Sequence, residues 1–111
     1  MNGREVYRFA VKVVPEAVQT ALDAAGVTAD ALKYLVLHQA NTRIIDSAAE
    51  RFGIPSERVP TNIERLGNTS SASIPILLDE LNREGKLSRG DIIALCGFGS
   101  GLTWGAAILE W

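Results

Sequence analysis

Three polar places interrupt the apolar pattern of this 111-residue sequence, and each carries residue types that can do chemistry. The first is His38, the chain's one histidine, with Gln39 and Asn41 behind it. The second is Asn68 with Thr69 and the serines that follow, and the third is the run Gly97-Phe98-Gly99-Ser100-Gly101. Each falls at a strand end or a helix start, where open α/β sheets place their ligands. If the strands run parallel, the three places converge at one sheet edge. A His and an Asn that both donate hydrogen bonds to one carbonyl oxygen stabilise an enolate or oxyanion, and a glycine turn brings backbone N–H groups close to the same atoms. That constellation suits thioester enolate chemistry.

Each feature also has a cheaper reading. A histidine at a strand end can serve as a structural hydrogen-bonding residue, and Asn41 is placed to cap a helix. Asn68 is equally a cap candidate, and the serines after it can be a small-residue helix start. The glycine run precedes a strand and not a helix, so it reads as a tight hairpin and not as a dinucleotide-binding fingerprint. Cys96 lies inside the apolar run IIALC, where a buried, inert thiol is expected. The signatures of serine enzymes are absent, and no Ser/His/Asp triad is supported.

The elements that must position these residues follow from apolar spacing. Val6, Phe9, Ala10, Val11, Val14, Ala17, Val18, Ala21, Leu22 and Ala25 keep one helical face apolar, which predicts a helix from near Glu5, kinked at Pro15 and stopped by Gly26. LKYLVLH suits a strand buried on both faces. Asn41 then opens a helix carrying Ile44, Ile45, Ala48, Ala49 and Phe52 inward, ended by Gly53. ERVPTN reads as a brief strand, and an amphipathic helix with Ile74, Leu77, Leu78 and Leu81 follows GNTSSAS and stops near Gly85. DIIALCGF and LTWGAAILEW, joined by GSG, predict an antiparallel hairpin. The expected order is helix, strand, helix, strand, helix, strand, strand. It belongs to the α/β class, except that βαβ logic expects a further strand before the first helix.

Composition narrows the function. With 47% hydrophobic and 22% charged residues, the chain has the make-up of one globular domain, without repeats, linkers or low-complexity tracts. A net charge of −2 gives no overall positive field for nucleic acid and no polybasic membrane patch. The N-terminus is too polar for a secretory signal, and no apolar run is long enough to span a bilayer, so the expected address is cytoplasmic. One cysteine excludes an internal disulfide and a cysteine-based zinc cluster, and with one histidine no metal is expected.

Taken together, HQAN at 38–41, GNTSSAS at 67–73 and GFGSGLTWGAAILEW at 97–111 resemble the C-terminal half of the β-ketoacyl-acyl-carrier-protein synthase III family, the initiating condensing enzymes of bacterial fatty-acid synthesis. The resemblance runs from NGREVYRFAV to the last residue. It implies a thiolase-type α/β fold, with helices layered on a mixed sheet that ends in the hairpin and with its central strand lying upstream of Met1. It also implies a Cys-His-Asn site at the junction of two similar halves. By resemblance His38 and Asn68 match the catalytic His and Asn, whereas the catalytic cysteine belongs to the N-terminal half and Cys96 does not match it. The backbone N–H of Ser100 would correspond to an oxyanion-hole donor, with Gly99 in the same turn and Phe98 packing beside the malonyl site. Ser100 stands where the family commonly has glycine.

The resemblance further implies partners and substrates. Arg8, Arg43 and Arg51 occupy positions matching the basic residues that meet acidic acyl-carrier protein, with Arg43 the leading docking candidate. Asn41 and Gly3 match positions near the pantetheine tunnel. No resident cofactor is implied, because the acyl-coenzyme A and malonyl-acyl-carrier protein are substrates. The expectation is a fragment whose partner is the missing N-terminal half, inactive in condensation alone and prone to homo-oligomerise through exposed edges. Two other readings stay open: a condensing enzyme of a polyketide-type pathway, and a module that only binds carrier protein.

Overall fold

The computed structural model describes residues 3–111. The first helix, α1 (Gly3–Ala25), runs without interruption through Pro15, which is buried. Proline removes the N–H that would reach the carbonyl of Val11, but the apolar face on both sides of it packs into the core, and that burial outweighs one lost bond. β1 (Tyr34–Leu37) follows, then α2 (Thr42–Phe52), the short α3 (Ile63–Leu66), α4 (Ser73–Arg83), and the strands β2 (Ile92–Gly99) and β3 (Thr103–Glu110).

The sheet has three strands in the order β1-β2-β3. β1 pairs with β2 in parallel, with Leu35 opposite Ala94 and Leu37 opposite Cys96. β2 and β3 form the predicted antiparallel hairpin from Ile92↔Glu110 to Gly99↔Thr103. Gly101, at φ 139°, makes the turn; a Cβ there would lie 2.8 Å from Thr103 Cγ2. The three strands are contiguous, so an upstream strand would not lie between them and has only the outer edges of β1 and β3 to join.

Every residue of β1 is buried, as a strand covered on both faces requires. The pleat divides them: Leu35, Leu37, Ala94 and Cys96 join the core under α1 and α2, and Tyr34, Val36 and Ile93 join the one under α4. The result is a helix–sheet–helix sandwich in which each fully buried leucine or isoleucine contributes about 2 kcal/mol of transfer free energy. β3 is the open side, and Trp104 at its start is 53% exposed.

One sequence expectation is corrected. ERVPTN is not a strand; residues Ser56–Arg58 form a single 3-10 turn, and no ladder pairs Val59 to Asn62. The backbone donors go elsewhere: Arg58 N–H to Pro55 O at 2.9 Å and Val59 N–H to Ser56 O at 3.0 Å. Pro60 has no donor at all, and the Asn62 N–H donates to the side chain of Gln39 at 3.0 Å. Val59 and Asn62 are still buried, three positions apart, so the burial here does not follow a strand's alternation.

Candidate active site

Parallel pairing decides where the chemistry gathers. Because β1 and β2 run the same way, His38 leaves the end of β1 at the same edge where Gly97, Phe98 and Gly99 end β2. The backbone N–H of His38 donates to Cys96 O at 2.9 Å, the last rung of the parallel ladder. The N-terminus of α4 meets the same edge, where Gln39 N–H donates to Ser73 Oγ at 2.7 Å, and the loop before it carries Asn68. The three polar places therefore line one open cleft of about 660 Å³, with His38, Asn68, Phe98, Gly99 and Ser100 all on its wall.

His38 is half-buried, and its ring meets the edge of Phe98 with centroids 5.4 Å apart. Burial holds the imidazole pKa below its ordinary value, so the ring is neutral near pH 7. A neutral imidazole carries one N–H donor and one acceptor nitrogen, which suits it to polarise a carbonyl. Phe98 extends the apolar wall through Phe9, at 6.4 Å, and Phe9 stacks edge-on with Trp104 at 5.4 Å.

Asn68 is exposed, and its Oδ1 accepts from Ser70 N–H at 2.9 Å. That bond closes a local turn in which Ser70 takes a left-handed φ of 57°, a conformation a non-glycine residue adopts when its surroundings hold it there. The oxygen is thereby committed to the loop, and the amide NH₂ is the end left to serve a ligand. In the hairpin turn Ser100 O accepts from Thr103 Oγ1 at 3.0 Å, which fixes the peptide beside Ser100.

Cys96 is the opposite case. It is 1% exposed, and burial pushes its thiol up to about 12. A thiol with that pKa carries almost no thiolate at pH 7, so the inert reading of Cys96 holds.

The remaining sequence candidates lie outside the cleft wall. Arg8, Arg43, Arg51, Asn41 and Gly3 are all exposed, and none lines the cleft. Asn41 is a helix cap in fact: its Oδ1 accepts from Arg43 N–H at 2.8 Å. Gly53 closes the same helix at φ 64°, and Arg51 sits in its last turn, where a cation complements the helix dipole. Sequence reasoning did not single out Val6, Ala40, Ile74, Thr103, Trp104 and Gly105 as site candidates, and all six line the wall. It also gave no role to the buried residues behind the wall: Gln39, Asn62 and Ser73. A glutamine between a strand and a helix cap was the visible signal; that it is wholly buried was not.

Comparison with known proteins agrees with this geometry. Residues 22–111 match the model of the 3-oxoacyl-[acyl-carrier-protein] synthase III C-terminal family. The chain is 57% identical over its full length to the β-ketoacyl-[acyl-carrier-protein] synthase III of Thermosynechococcus vestitus, of which it spans 34%. It superposes over its full length on 35% of the Thermus thermophilus β-ketoacyl-[acyl-carrier-protein] synthase III with a TM-score of 0.98 and 52% identity. A priming β-ketosynthase of a polyketide biosynthetic pathway is also similar, at 42% identity and a TM-score of 0.93, with 99% of this chain covering 33% of that one. The chain thus spans about a third of the length of these relatives. Its fold is the thiolase-like fold of those synthases, and the chain belongs to the 3-oxoacyl-acyl-carrier-protein synthase III family, as its C-terminal part.

Proposed function

We propose that this chain is the carbonyl-polarising half of a decarboxylating condensing enzyme that starts fatty-acid synthesis from malonyl-acyl-carrier protein and an acyl-coenzyme A. The observation that carries the reading is the gathering of His38, Asn68 and the Ser100 turn on one cleft while the chain's one cysteine is sealed away with its thiol at about 12. In this reading a cysteine on another segment holds the acyl group as a thioester. His38 and the Asn68 amide donate to the thioester carbonyl of the malonyl group. The bond from its Cα to the carboxylate breaks, carbon dioxide leaves, and the electron pair remains as an enolate held by the two donors. The enolate carbon then attacks the acyl carbonyl and expels the cysteine thiolate, giving the β-ketoacyl product.

Phe98 and its aromatic neighbours would keep water from the enolate, and the Ser100 N–H would receive the charge on the acyl oxygen. Arg43, with Arg8 and Arg51, would meet the acidic carrier protein, and Asn41 and Gly3 would border its pantetheine arm. The scheme calls for no metal or resident cofactor, and its address is the cytoplasm. Leu102 and Trp104, beside the hairpin turn, are large exposed apolar side chains, which supports cover of that end of the hairpin by another segment or a second copy.

The test measures carbon dioxide and β-ketoacyl product from malonyl-acyl-carrier protein and acetyl-coenzyme A, with the chain alone and then mixed with a cysteine-bearing N-terminal segment. Turnover only in the mixture, lost on His38→Ala, supports the proposal. A folded chain that binds carrier protein but gives no turnover in either case overturns it in favour of a binding module. The polyketide-type relative supports a second reading with the same chemistry and a different acyl starter. Comparing acetyl with longer acyl-coenzyme A starters in the same mixture separates the two.

A further inference from the structure

Among the described residues the buried polar side chains are Gln39, Asn62 and Ser73, at 0%, 1% and 1% exposure, and all three belong to one hydrogen-bonded web. Burying polar groups is costly unless they are paired, so a web that concentrates them in one place is held there by its connections. Gln39 is its centre. Its Nε2 donates to Leu37 O at 2.8 Å, and its Oε1 accepts from Asn62 N–H at 3.0 Å. One partner is an acceptor and the other a donor, so the amide has a single satisfying orientation. The backbone N–H of Gln39 donates to Ser73 Oγ at 2.7 Å. Beyond it, Asn62 Nδ2 donates to Glu80 at 2.8 Å, and the other oxygen of Glu80 accepts from Arg65 at 2.9 Å.

These contacts tie three pieces of chain that share no backbone pairing. Gln39 follows His38 directly, Asn62 opens the segment that leads through α3 to Asn68, and Ser73 begins α4 on the far side of Asn68. We infer that Gln39 is a positioning residue: by holding both ends of the segment that carries Asn68 against the end of β1, it sets where the Asn68 amide stands relative to the His38 ring. The inference rests on the condensing reading for its catalytic meaning, since two donors serve one carbonyl oxygen only when their separation is fixed. A misplacement of about 1 Å at such a site costs on the order of 100-fold in rate.

The test uses Gln39→Met, which keeps length and volume and removes both side-chain bonds, and Ser73→Ala, which removes only the acceptor of the Gln39 N–H. In the mixture with the cysteine-bearing segment, Gln39→Met is expected to lower kcat for carbon dioxide release by about 10- to 100-fold with KM within about threefold. A second readout needs no turnover. In the chain alone, NMR of the Asn68 side-chain amide and of the single imidazole is expected to shift or broaden in the variant, and Asn62 N–H to lose exchange protection, while Val36 and Leu95 amides keep theirs. Ser73→Ala is expected to shift the same signals by less, and it decides the matter if Gln39→Met does not fold. Unchanged Asn68 signals with a kcat per folded molecule within twofold of wild type overturn the inference and leave Gln39 as a stability residue. If the wild-type mixture gives no turnover, the condensing reading fails by itself, and the NMR arm still decides whether Gln39 orders the loop.

Discussion

His38 and Cys96 are joined by one backbone hydrogen bond of 2.9 Å, yet they lie in opposite worlds. Cys96 points into the core beneath α1 and α2, with Sγ 4.0 Å from Val14 O and 1% of its surface exposed. His38, one step past the end of its strand, stands half-open on the cleft with Phe98 against its ring. Both groups feel desolvation, but with opposite consequences. Burial raises the pKa of a thiol, which makes it unreactive, and lowers that of an imidazole, which keeps it neutral and able to donate. A reactive residue type is therefore a weak guide without its place on the strand: the same sheet builds an inert interior from one and a donor from the other.

That contrast can be broken from either side. The largest expected effect is kinetic: in the reconstituted mixture, His38→Ala lowers carbon dioxide release by roughly 100- to 1,000-fold, the range for removing one oxyanion donor. Cys96→Ala in the same assay leaves turnover within twofold; a large loss there would mean that the thiol takes part after all. On the core side, Leu35→Ala empties a wholly buried position and is expected to cost about 3 kcal/mol in urea unfolding. His38→Ala is expected to lose well under that, since its ring is only partly enclosed.

Thiol chemistry sharpens the comparison next. Iodoacetamide should leave Cys96 unmodified in the folded chain at pH 8 and modify it promptly in denaturant; rapid native labelling would contradict a thiol held at about 12. The sign of the linkage follows: a thiol raised in the folded state contributes stability that is complete below its unfolded pKa and is lost as pH rises through about 12. For His38 the sign is reversed. Its folded pKa lies below the unfolded value near 6.5, so its contribution is complete above pH 6.5 and is lost as pH falls through the folded value. NMR titration of the lone imidazole should place its midpoint below 6.5, and a midpoint above it would point to a nearby carboxylate. The smallest change is Asn41→Ala, expected to cost about 1 kcal/mol through loss of the α2 cap. If it also weakens carrier-protein binding beyond that loss of stability, Asn41 has a second role.

Much of the fold was legible beforehand, and the reasons are local. The helix at 42–52 announces both ends, with Asn41 as cap and Gly53 as a left-handed stop. The hairpin announces its turn, and the run at 34–37 announces a strand sealed on both faces. ERVPTN misled because a short stretch between two helical patterns reads as a brief strand, while its proline and the distant Gln39 decided where the backbone donors went. Gly67, Asn68 and Ser70 were visible as polar loop residues, but the left-handed Ser70 and the bond from its N–H to Asn68 Oδ1 were not.

The sequence by itself determined which residues could polarise a carbonyl and which helices and strands would carry them, because capping, glycine turns and apolar spacing act over a few residues. Only the tertiary structure decided that His38, Asn68 and the Ser100 turn share one cleft. That depends on β1 and β2 pairing in parallel across more than fifty residues of chain, and on Gln39 bonding to Ser73 and Asn62 from 34 and 23 positions away. Such contacts form only when the whole core closes, since the entropy lost in joining distant segments is repaid by collective burial and not by any single bond.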